Sequence, residues 1–193
     1  MSWGVYYGDT PQCYTQWIDV CLKYNPNMAF LIQDGWSTYP QALSTNSTET
    51  ILGVIDSQQA LGQTMFRGIY DALNARYSRK VHIIPAGAAM VEMLHHYFAG
   101  RLSGFDCVAE YLGGKCGFYR DDNHLSHTSG MEQLLGYLYF GMLYRQSPEH
   151  IANYHPRGVD PTVDLLMRRA AWHAITHSSF SGITDKTSKG VAD

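Results

Sequence analysis

Charge is scarce in this chain. Lys, Arg, Asp and Glu make up only 16% of its 193 residues, and the formal net charge is -3. The 14 basic residues are scattered, with no run able to neutralise a row of phosphates, so no nucleic-acid partner is expected. Long apolar runs are missing too. No stretch approaches the roughly 20 consecutive apolar residues of a membrane span, so no membrane partner is expected either. The opening MSWGVYYGDT lacks the basic and apolar regions of a signal peptide. The four cysteines, at 13, 21, 107 and 116, have no CxxC spacing, which argues against a structural zinc site. Cys107 and Cys116 bracket VAEYLGGK, a spacing open to a short disulfide loop in an oxidising compartment and equally to two buried thiols. A sequon at Asn46 is too common a pattern to decide the compartment. Internal repeats are absent.

What the chain does have is apolar substance, 45% of its residues, enough for a single domain over residues 1–193 with a sizeable core. Two uninterrupted apolar runs, MAFLIQ (28–33) and KVHIIPAG (80–87), have the composition of strands covered on both faces. WGVYYG (3–8) is a weaker third. Stretches of helical period alternate with them. Tyr14, Trp17, Ile18, Cys21 and Leu22 mark a helix that must stop before Pro26. Leu61, Met65, Ile69 and Leu73 predict a helix over 57–77, leaving 34–56 as a long loop. AAMVEMLHHYFAGRL predicts the next helix, Leu134, Leu135, Leu138 and Met142 another ending near Arg145, and Pro161 opens the last. The adjacent His95 and His96 are expected in solvent, and Tyr137, Tyr139, Phe140 and Tyr144 are expected to pack around a buried helix. Helices alternating with buried strands predict an α/β domain with a small, mainly parallel sheet. Two or three strands are few for such a sheet.

In open parallel sheets ligands bind at the carboxyl ends of the strands, which singles out Gln33, Asp34, Gly35 and Trp36 after the first run and Pro85, Ala86 and Gly87 after the second. The stretch RDDNHLSHTSG (120–130) adds two carboxylates shortly before His124. An aspartate three residues before a histidine can fold back in a tight turn and fix its tautomer for general-base work. The same residues also suit a polar loop held by local Asx-type bonds, with Ser126 or Thr128 starting a helix. As metal ligands His124, His127 and the aspartates are the right types, but the cluster is local and has no second group of ligands. No metal and no cofactor are expected.

DDNHLSHTSG, followed by an aromatic-rich helix and RQSP, resembles the last conserved block of the SGNH (GDSL-like) hydrolases, where Asp-x-x-His precedes the final packed helix. FLIQDGW and VHIIPAG resemble the strands around that family's third block, and AAWHAITHSSFSGITD resembles a C-terminal helix of some bacterial members, so the likeness runs from about Trp17 to Asp185. It implies a three-layer α/β/α sandwich, flavodoxin-like in layout, and hydrolysis of a small acyl ester or acylated carbohydrate. It implies His124 as general base, Asp121 as its orienting acid with Asp122 as runner-up, and Gln33 near the oxyanion-hole position, where the family usually has asparagine. Trp36 would line the cleft or join the core.

The departure from the family is the nucleophile. The Gly-Asp-Ser block has no counterpart; YGDT, ending in Thr10, is the nearest and a weak candidate, since its methyl crowds the hydroxyl. Ser37 and Ser126 sit in no strand-to-helix elbow. The resemblance implies that the chain begins inside the domain, with the first strand and its serine upstream. A signal peptide upstream would make the protein periplasmic or secreted; without one it is cytoplasmic. The alternative to an esterase is a non-catalytic ligand-binding protein, or an inactive remnant of the same fold.

Overall fold

A computed structural model describes residues 10–37, 44–78, 81–121, 124–151 and 154–184. The strand expected at 3–8 lies outside them. Among the described residues, five α-helices and two strands follow in the order α1 (Pro11–Tyr24), β1 (Phe30–Gln33), α2 (Thr48–Tyr77), β2 (Val81–Ile84), α3 (Ala86–Phe98), α4 (Gln133–Tyr144) and α5 (Pro161–His177). Single 3-10 turns fall at Glu110–Leu112 and Pro148–His150. The strands pair in parallel, Phe30 opposite Val81 through Gln33 opposite Ile84. This is a mixed α/β fold built on a βαβ unit whose crossover is α2.

Both faces of the sheet are covered, as the uninterrupted apolar runs required. Ile32, Val81 and Ile83 join Ile18 of α1 and Phe66, Ile69, Leu73 and Tyr77 of α2 in one apolar cluster. Ile84, facing the other way, belongs to a larger cluster built from α3, α4, α5 and the N-terminal turns of α2. After α5 the chain returns to β2, where the Ile83 N–H donates to the Phe180 carbonyl at 2.9 Å. None of the described helices is long and apolar enough to cross a membrane.

Three expectations need correction. The loop predicted over 34–56 ends early, because α2 begins at Thr48: the Ser47 hydroxyl accepts the Thr50 N–H at 3.3 Å and Glu49 stands in the first turn. Ile51 and Ile55, both buried, extend the helix's apolar face by two turns. The stripes predicted on α1 and α2 were too wide, with Trp17 75% exposed and Leu61 62% exposed. On α4 only Tyr137 of the four aromatics is buried in the core; Tyr139 and Tyr144 face outward and Phe140, half-buried, lies 5.0 Å from Tyr144. A helix at the rim of a small sheet buries only part of its circumference. His95 is exposed, as expected, and His96 is half-buried.

Candidate active site

Three polar ties converge on the segment that leaves β1. The first comes from Asp34, a carboxylate only 7% exposed. Its Oδ1 accepts the Gly87 N–H at 2.9 Å, and Ala86 donates to the same carboxylate, so Asp34 caps the N-terminus of α3 from across the sheet. Burial pushes its pKa up to about 7 against the opposing pull of those two donors. Gly87 is required at this junction: a Cβ there would lie 2.4 Å from the Gly35 carbonyl oxygen and 2.3 Å from Gln59 Oε1.

The second tie brings in the histidine loop. Residues 118–121 and 124–126 run antiparallel as the two arms of a hairpin, the Arg120 N–H donating to the His124 carbonyl at 2.9 Å and the Ser126 N–H to the Phe118 carbonyl at 2.8 Å. Tyr119, fully buried at its base, donates its phenol to the Ser37 carbonyl at 2.6 Å. The third tie comes from α4, where the exposed Tyr139 hydroxyl donates to Gln33 Oε1 at 3.1 Å. Because that bond occupies the oxygen, the Gln33 Nε2 amide is left to donate.

Where the two arms end, His124 Nδ1 lies 2.8 and 2.9 Å from the two Asp121 oxygens, and the His124 backbone N–H also donates to Asp121 Oδ1 at 2.8 Å. A carboxylate can only accept, so Nδ1 carries the proton and Nε2 presents its lone pair outward. The His124 side chain is 66% exposed. Among the described residues no hydroxyl is bonded to its ring. Thr10 stands at the N-cap position of α1 without a side-chain capping bond, its hydroxyl 3.5 Å from Cys13 Sγ. Ser126 is wholly buried: its hydroxyl donates to Glu110 and accepts the Thr128 N–H at 3.0 Å, a structural use. Ser37 is buried as well, and Trp36 is half-buried against the main core. Asp122 lies outside the described residues.

His127 turns away from this pair to the Glu132 carboxylate, with Arg120 Nη1 at 3.3 Å from its other nitrogen. Among the described residues no three His, Cys, Asp or Glu side chains converge in a way that could hold a metal ion. Cys107 and Cys116 are free thiols. Burial, reinforced by Asp106, pushes Cys107 up to about 12, which keeps it in the unreactive thiol form.

No family model and no curated protein matches the chain. Among solved structures it is similar to a DUF4886 family protein from Bacteroides uniformis, with 23% sequence identity and a TM-score of 0.45. The match covers 82% of this chain and 51% of the other, so this chain spans about half the length of that protein.

Proposed function

We propose that the chain carries the acid–base half of an SGNH-type ester hydrolase acting on a small acyl ester or acylated carbohydrate. The observation that carries this reading is the Asp121–His124 pair: an acceptor-only carboxylate on Nδ1 and an outward Nε2 are what a general base needs. His124 takes the proton of the attacking hydroxyl at Nε2 and returns it to the leaving alcohol, while Asp121 stabilises the imidazolium. Gln33, its oxygen held by Tyr139, offers Nε2 to the oxyanion. Asp34 and Tyr119 support the reading by fixing the chain at the end of β1, where Gln33 and Trp36 lie.

The test is hydrolysis of p-nitrophenyl acetate by a longer chain that also supplies the attacking serine. His124→Ala should abolish it, and Asp121→Asn should lower kcat on the order of 10⁴-fold by releasing the wrong tautomer; unchanged turnover in His124→Ala sinks the assignment. A second reading, a non-catalytic ligand-binding protein of the same fold, is favoured by the bare, exposed His124 ring, with no hydroxyl bonded to it among the described residues. It predicts neither turnover nor labelling by a fluorophosphonate probe, and ligand binding that survives loss of His124.

A further inference from the structure

A cavity of about 520 Å³ opens between α2, α3 and the C-terminal end of α5, and its lining does not include Asp121, His124 or Gln33. Three histidines reach it: His95 from α3, and His173 and His177 from α5. The last two stand four residues apart, hence on the same helix face, with ring centroids 4.0 Å apart. Their hydrogen bonds fix how they present themselves. His173 Nδ1 lies 2.7 Å from Glu92 Oε2, and His177 Nδ1 lies 3.0 Å from the His173 carbonyl oxygen. Carboxylate and carbonyl oxygens accept only, so in both neutral rings the proton sits on Nδ1 and the lone pair on Nε2. Neither Nε2 has a partner among the described residues.

We infer that His173 and His177 form a two-histidine site for a divalent transition metal of the zinc class, bound through both Nε2 atoms. Imidazoles whose other nitrogen donates to a carboxylate or a backbone carbonyl are the usual form of metal-ligating histidine, because those partners orient the ring and raise its basicity. A tetrahedral ion with metal–nitrogen bonds of about 2.0–2.1 Å wants its two nitrogens about 3.4 Å apart, within reach of rings already this close. His95 is not a third ligand, since its Nε2 is engaged by Asp56 Oδ1 at 2.9 Å. The remaining coordination positions therefore belong to water or to a donor atom of a molecule entering the cavity. Oxygen-seeking cations such as Mg²⁺ and Ca²⁺ gain little from two imidazoles.

The experiment is titration calorimetry of the full chain, free of any histidine tag, with Zn²⁺ and Ni²⁺, and with Mg²⁺ as the contrast. One ion per chain should bind, His173→Ala and His177→Ala should each weaken binding at least tenfold, and Glu92→Ala should weaken it about 10- to 100-fold. His95→Ala should leave it unchanged. Both ligand side chains are exposed, so the variants should keep the parent Tm without metal; should either alanine variant fall below it, the glutamine variants give the same readout. Zn²⁺ affinity equal to the parent's in both His173 and His177 variants overturns the inference, as does binding of Mg²⁺ as tight as that of Zn²⁺. Neither outcome depends on esterase activity, so the site stands or falls apart from the function proposed for His124.

Discussion

Replacing Asp34 with asparagine should make the protein more stable at pH 8 and leave it nearly unchanged at pH 4. Asp34 is a buried acid whose pKa rises from 3.8 to about 7 on folding. Between those values the unfolded chain has lost the proton and the folded chain keeps it, so folding takes up a proton and stability falls as pH rises. The full penalty is about three units at 1.36 kcal/mol each, or about 4 kcal/mol, present above pH 7 and absent below pH 4. About 2–3 kcal/mol of it accrues between pH 5 and pH 8. Asparagine has the shape of the protonated acid, keeps an acceptor for the Gly87 N–H, and cannot ionise.

Urea unfolding followed by tryptophan fluorescence from pH 4 to 8 gives the two stability curves, provided the m-values agree. Their difference isolates Asp34, because every other titrating group is common to both. It should widen from pH 5 to about pH 7 in favour of Asp34→Asn and level off above that. A difference that stays constant with pH, or a variant less stable than the parent at pH 8, would refute the reasoning. The second result would mean that the charge at the start of α3 outweighs the cost of burying it.

Gly87→Ala should cost about 1–3 kcal/mol by overpacking, because the new methyl meets the Gly35 backbone carbonyl as well as the movable Gln59 side chain; an unchanged denaturation midpoint would disprove so close an approach. Arg168→Ala should cost about 3–5 kcal/mol by stranding the buried Asp164 and freeing the carbonyls of Pro148, Ile151 and Tyr154. Removing both charges with Arg168→Met and Asp164→Leu should recover part of that loss in the same assay. Ser126→Ala should cost about 1–3 kcal/mol, since its hydroxyl joins Glu110 to the Thr128 N–H; a change below 0.5 kcal/mol in thermal unfolding, roughly the scatter of neutral substitutions, would show the bond to be dispensable.

The fold was legible where one physical cause acts alone. Both strands announced themselves because a strand covered on two faces must be apolar throughout, and α5 because Pro161 needs no N–H partner in a first turn. The start of α2 was hidden by its own cap: the Ser, Thr and Asn residues around 44–50 have loop chemistry, and the four-residue step from Ile51 to Ile55, the one sign of the helix beneath, was passed over. Exposed Trp17 and Leu61 show the opposite error. Spacing tells which residues share a face, whereas the width of the face that is buried depends on neighbours brought in from elsewhere in the chain.

The same distinction divides the candidate site. Asp121 and His124 could be read from a three-residue spacing, because their contact is local. Tyr119 to Ser37, Tyr139 to Gln33 and Asp34 to Gly87 join residues 82, 106 and 53 positions apart, and nothing in the spacing marks them. Yet each ends on residues 33–37, and each arrives from a different element: the hairpin, α4 and the start of α3. A segment pinned from three sides loses most of its freedom before any ligand arrives, which favours precise placement of Gln33 and Trp36. His124 is held otherwise, by one carboxylate three residues before it, and its ring is exposed. If hydrolysis occurs here, substitutions along 33–37 should act through stability and geometry together. Substitution of Asp121 should act on the protonation and aim of His124 while leaving the core intact, so the two groups of variants should separate when kcat is plotted against unfolding midpoint.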